Sequence, residues 1–144
     1  MNADDADAID FMEIASHLGY LGYTVTPPPD GSRWCCASHA DHWTFGFTRW
    51  RGFLWLRCGV PLSAEDSADV AATLEWVNDI RHSARVTKFH IARDPSGEVY
   101  VEASAFLPFA YEREAFGVWM LQWVQETSRI NPPASRRGAQ RARP

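Results

Sequence analysis

The chain has 144 residues, 46% hydrophobic and 22% charged, with a formal net charge of −4. That composition excludes a disordered chain and supplies enough apolar material for one core without disulfides or a structural metal. The acidic balance argues against a non-specific polyanion binder, whose affinity would rest on Lys and Arg neutralising phosphates.

The charge is polarised along the chain. Asp4, Asp5, Asp7, Asp10, Glu13 and Asp30 fall within residues 1–30 with no Lys or Arg, whereas Arg136, Arg137, Arg141 and Arg143 fall within 131–144 with no acid. Residues 131–144 also lack apolar periodicity, so the expected organisation is a single domain over 1–130 and a flexible Arg/Pro-rich tail. The acidic start has neither the basic nor the apolar region of a secretory signal, and no apolar run approaches membrane-spanning length. A cytoplasmic protein with no membrane partner is expected. Cys35, Cys36 and Cys58 are odd in number and two are adjacent, which predicts free thiols.

Phe11, Ile14, Leu18 and Leu21 recur at helical spacing behind an acidic N-terminal end, predicting a helix over 4–21. The run Thr26-Pro27-Pro28-Pro29-Asp30-Gly31 cannot continue it and reads as a loop. Residues 33–37 predict a short strand. Trp43, Phe45 and Phe47 then alternate with His42, Thr44, Gly46 and Thr48, predicting a second strand with its aromatics on one face. A turn at Arg49-Trp50-Arg51-Gly52, with glycine available for positive φ, leads into a third strand over 53–58, which Pro61 stops.

Ser63 followed by Asp66 resembles a capping box, and Val70, Leu74, Val77 and Ile80 predict a second helix over 64–82. Residues 86–93 and 98–106 alternate around the turn Asp94-Pro95-Ser96-Gly97, predicting a hairpin. Pro108 closes it, and Phe116, Trp119, Met120, Trp123 and Val124 form the apolar stripe of a last helix over 111–129. The order is α-β-β-β-α-β-β-α, an α+β fold with an antiparallel sheet packed against helices.

This order resembles the YbjN-like family, which shares the fold of type III secretion chaperones. The likeness spans residues 5–130 and is carried by Leu74-Glu75-Trp76-Val77-Asn78-Asp79-Ile80, by Phe89-His90-Ile91, by Gly97-Glu98-Val99-Tyr100-Val101-Glu102, and by Leu107-Pro108. It implies a non-enzymatic homodimer that holds another polypeptide against apolar patches of helix one and the sheet. It brings no catalytic residues with it.

The residues themselves point the same way. Cys35, Cys36, His39 and His42 are zinc-ligand types, but on one strand neither side would gather more than two of them, so no metal is expected. No nucleophile stands in a catalytic motif, and Glu65, Asp66 and Asp69 sit where acids stabilise a helix start. No glycine-rich phosphate cradle occurs, so no cofactor is expected. Phe11, Ile14, Leu18, Trp50, Phe53 and Trp55 are the candidate partner-binding residues, since aromatic anchors carry much of the energy of an interface. Dimer contacts are expected from a sheet edge or from helix two with Trp76. The alternative function is an accessory protein for single-stranded nucleic acid, with Arg49, Trp50, Arg51 and the basic tail forming a stacking platform.

Overall fold

The computed structural model describes residues 3–130, with side chains from residue 10 onward. The arginine-rich segment 131–144, expected to be a tail, lies outside the described residues.

The elements run α1 (Ala3–Tyr20), β1 (Thr24–Thr26), β2 (Cys35–Ser38), β3 (Phe45–Trp50), β4 (Phe53–Pro61), α2 (Ala64–Ala68), α3 (Val70–Ser83), β5 (Lys88–Arg93), β6 (Val99–Pro108) and α4 (Arg113–Thr127). Six strands form one antiparallel sheet in the order β1-β2-β3-β4-β6-β5. The α+β class and the two hairpins are as the pattern predicted.

Four features differ from the sequence reading. Thr24–Thr26 is an additional edge strand paired to β2, set between the end of α1 and the prolines. The single helix expected over 64–82 is broken at Asp69, which ends α2 and begins α3. Its Oδ1 accepts the amide of Ala72 at 3.1 Å, and its backbone at φ −110°, ψ 74° is not helical. An Asp side chain competes for backbone donors in this way, favouring a cap over a helix interior. The β3–β4 turn places its positive φ on Arg51, at 55°, rather than on Gly52. Trp43 precedes β3 instead of opening it, although it still packs against the core.

Ser63 caps α2 as expected. Its Oγ accepts the Asp66 amide at 3.1 Å and donates to Asp66 Oδ2 at 2.9 Å. Glu112 does the same for α4, accepting the amides of Glu114 and Ala115, which is why that helix starts at Arg113.

Strand alternation sorts the sheet into two faces. Ala37, Phe45, Phe47, Leu54, Leu56, Val60, Val101 and Leu107 point to the inner face and are almost wholly buried. Helices supply the other half of that core through Ile14 and Leu18 of α1, Val77 and Ile80 of α3, and Phe116, Met120 and Trp123 of α4. Phe11 stacks on Phe47 at 5.5 Å, and Trp123 meets Phe45 edge-on at 5.8 Å.

One carboxylate is buried in this layer. Glu126, on α4, is 0% exposed and accepts the backbone amides of Arg85, of Val86 at 3.2 Å and of Thr87 at 2.8 Å, together with Gln122 Nε2 at 2.9 Å. Burial pushes its carboxyl up, but the amide donors outweigh that and hold the pKa below the ordinary carboxylate value. Glu126 thereby ties the α3–β5 connection to α4.

Candidate binding face

No helix among the described residues covers the outer face of the sheet. Its side chains come from alternate strand positions, and the register arranges them in rows across β3, β4, β6 and β5. Trp50 pairs with Phe53, and Phe53 with Pro108. The next row holds Thr48, Trp55 and Phe106. Beyond it lie Gly46, Arg57, Ser104 and Lys88, and then Gly59, Glu102 and His90.

The first two rows, joined by Trp34 from the segment before β2, make a continuous aromatic cluster. Trp55 and Phe106 lie 5.4 Å apart with planes 17° from parallel. Trp34 meets Trp55 edge-on at 4.9 Å, Trp50 lies 5.8 Å from Phe106, and Phe53 lies 6.3 Å from Phe106. Such pairs are favourable by about 0.5–1.5 kcal/mol each beyond the area they bury. Even so, Trp50, Phe53 and Phe106 remain 45%, 43% and 38% exposed. A contiguous exposed apolar patch is a candidate interaction surface.

Gly46 permits the arrangement. A Cβ there would come within 3.2 Å of Trp34 Cε3, so a larger residue would require the indole to give way by a few tenths of an ångström. Beside the cluster, Gly46, Gly59, Trp34, Arg57, Tyr100 and Glu102 border a shallow depression of about 250 Å3.

Arg57 links this depression to the rings. It donates to both oxygens of Glu102 at 2.9 Å, and its guanidinium carbon lies 5.4 Å from the centroids of both Trp34 and Trp55. The hydrogen bonds it donates to Glu102 outweigh desolvation and hold the guanidinium above its usual pKa, so Arg57 stays charged. Tyr100 donates its hydroxyl to Glu102 at 3.4 Å, and His90 Nε2 stands 3.8 Å from the same carboxylate. Planar guanidinium groups favour this combination of bidentate pairing and stacking.

The candidate partner-binding residues therefore divide. Trp50, Phe53 and Trp55 share the outer face. Ile14 and Leu18 are 2% and 1% exposed and, with Phe11, hold α1 against the sheet, so helix one offers no partner surface through them in this arrangement. Trp34 and Phe106 belong to the cluster but escaped the sequence reading.

Arg49 and Arg51 do not flank Trp50 as a pair. Arg49 lies over Phe109 at 5.0 Å and donates to the Arg51 carbonyl, whereas Arg51 lies over Trp50 at 4.8 Å. Cys35 is buried in the core and Cys36 is exposed, while His39 and His42 stack on each other at 4.3 Å next to Tyr23. Among the described residues no group of three His, Cys, Asp or Glu side chains is placed to hold a metal ion. A second open cleft of about 410 Å3, near His17, Tyr111 and Arg113, separates α1 from the start of α4. Among the described residues no helix is long and apolar enough to cross a membrane.

Comparison with known proteins places the architecture. No family model matches the chain, and no curated protein matches it in sequence. Among solved structures, YbjN from E. coli superposes with a TM-score of 0.63 at 12% identity, over 80% of this chain and 83% of YbjN. This chain has the YbjN fold. An uncharacterized protein from Methanothermobacter thermautotrophicus shares the YbjN fold with a TM-score of 0.56 at 11% identity, over 83% of this chain and 90% of its own. A chain of the heterodimeric ExoU–SpcU complex from the type III secretion system of Pseudomonas aeruginosa shares it with a TM-score of 0.50 at 19% identity, over 83% and 95%. The resemblance read from the sequence thus holds at the level of the fold.

Proposed function

We propose that this chain is a non-enzymatic, cytoplasmic protein-binding module that holds another polypeptide on the open outer face of its sheet. The observation that carries this reading is the helix-free cluster of Trp34, Trp50, Phe53, Trp55 and Phe106, whose members touch one another and leave three rings more than a third exposed. Aromatic anchors of this kind dominate interface energetics. The ExoU–SpcU complex, in which a chain of this fold is part of a heterodimer, supports a protein partner.

A homodimer, the other part of the expectation, would leave this face free if it formed through the helices. Met12 of α1 and Val118 and Leu121 of α4 are exposed apolar side chains suited to that contact. The single-stranded nucleic acid alternative rests on Arg49, Trp50 and Arg51, and it is weakened because Arg49 lies over Phe109 instead of beside the exposed Trp50 ring. Trp55, the neighbouring indole, is itself covered by Phe106, Arg57 and Trp34.

Affinity capture from native cytosol tests the reading, with the wild-type chain run beside a Trp50→Ala/Phe53→Ser double variant. The wild type should retain polypeptides that the variant does not. A variant that retains the same set overturns the assignment of the outer face, and oligonucleotide capture at low salt without any protein would replace it with the nucleic-acid reading.

A further inference from the structure

The charges on the outer face are unequal in sign and are set on both sides of the rings. Arg51, in the β3–β4 turn, lies beyond the row of Trp50 and Phe53, and its only described contact of ring or charge type is with Trp50. On the other side, the row after Trp55 and Phe106 holds Arg57 and Lys88. Against these cations the strand rows around the rings contain one acid, Glu102, which is already bound by Arg57 and Tyr100. Lys88 and Arg51 are exposed and form no ion pair among the described residues.

Arg51 also occupies a left-handed backbone conformation beside a glycine that would adopt it without strain.

We propose that the segment received by this face is acidic, with bulky apolar side chains that bury against Trp50, Phe53, Trp55 and Phe106 and carboxylates on either side that reach Arg51 and Lys88. This rests on the polypeptide-binding reading above and specifies the chemistry of the partner. A second copy of this chain is the wrong occupant, because two such faces brought together would juxtapose cations with no unpaired acid between them, and like-charge juxtaposition suppresses association. A neutral apolar segment would forgo the modest attraction that these two exposed cations offer a carboxylate.

Fluorescence anisotropy tests the proposal with the full chain and three short synthetic peptides in which Phe and Leu alternate with Glu, with Gln or with Lys. Labelled oligothymidylate serves as a fourth probe. The Glu peptide is expected to bind about tenfold more tightly than the Gln peptide at low ionic strength, with the difference shrinking as salt is added. Arg51→Gln and Lys88→Gln should each weaken the Glu peptide by about twofold to fivefold and leave the Gln peptide unchanged. Both substitutions are at exposed positions, so unchanged thermal melts separate this effect from misfolding.

Equal affinity for the Glu and Gln peptides overturns the acidic-segment proposal while leaving polypeptide binding intact. Failure of all three peptides, with the partner capture described above still lost in the Trp50→Ala/Phe53→Ser variant, does the same. Tighter binding of oligothymidylate than of the Glu peptide assigns the face to nucleic acid instead. A dimer in light scattering that dissociates on Trp50→Ala assigns it to a second copy.

Discussion

Glu126→Gln should destabilise the domain more than any other conservative change among its acids. The carboxylate is fully buried and accepts three consecutive backbone amides, from Arg85, Val86 and Thr87. Hydrogen bonds to a charged group are worth about 1.5–3 kcal/mol each. The amide of exposed Arg85 can be rehydrated, the Val86 amide partly so, and the Thr87 amide not at all. Counting Thr87 in full and Val86 by half gives a loss of about 2–4.5 kcal/mol, a large share of the about 5–15 kcal/mol that holds such a domain together.

Urea denaturation followed by far-ultraviolet circular dichroism would measure it, with the m-value as a check that the denatured state is unchanged. The pH dependence gives an independent reading. The folded pKa of Glu126 is depressed, so its contribution is present above the ordinary carboxylate pKa of about 4.3 and is lost as pH falls through the lower folded value. The wild type should lose stability over that acid range, and Glu126→Gln should lose less of it. A variant within about 0.5 kcal/mol of the wild type, with the same acid limb, would refute the reasoning.

Trp50→Ala should weaken partner binding by about 2 kcal/mol or more, roughly thirtyfold in Kd by titration, while shifting the urea midpoint little, because that ring is 45% exposed. Gly46→Ala should cost about 1 kcal/mol in stability and reduce binding as well, since the new Cβ crowds Trp34. Trp55→Phe is expected to be nearly neutral in stability, within about 1 kcal/mol, because Nε1 of Trp55 is buried without a hydrogen bond and its removal offsets the lost contact area. Iodoacetamide should alkylate exposed Cys36 in the native protein and spare Cys35 and Cys58, with burial raising the Cys35 thiol and pushing Cys58 up to about 12. Mass spectrometry before and after unfolding reads that difference.

The long, strongly periodic elements were legible in the sequence. Alternation over 86–93 and 98–106 gave the second hairpin, in which Phe89 pairs with Ala103 and Ile91 with Val101, and Gly97 closes its turn at φ 89°. Of the expected helical stripe, Phe116, Met120 and Trp123 are the buried side of α4 and Val124 packs against the core, whereas Trp119 is 37% exposed. Three residues at Thr24–Thr26 are too few to display a period, so β1 was hidden. The break at Asp69 was masked because Val70 and Leu74 continue the helical spacing, although both are exposed and Thr73 is the buried residue of that turn.

The candidate binding face was half legible. Trp50, Phe53 and Trp55 are neighbours in sequence, but Trp34 and Phe106 join them only through strand order and register, which local pattern does not encode. The stripe of Ile14 and Leu18 is equally apolar whether it meets a partner or the chain's own sheet. Only the fold shows that it meets the sheet. Glu126 carried a faint signal, an acid one turn beyond Trp123 and followed by Thr127 on the apolar side of α4.

The crowding of indoles on the outer face gives the molecule a built-in optical signature. Trp34 and Trp50 lie 4.9 Å and 6.5 Å from Trp55, close enough for their intense far-ultraviolet transitions to couple and split the dichroism into a paired band. A guanidinium near each of the three rings makes that band sensitive to local field. Any occupant that wedges between the rings or reorients Arg57 would alter the splitting, so arrival at this face would be visible spectroscopically before the arriving molecule had been identified.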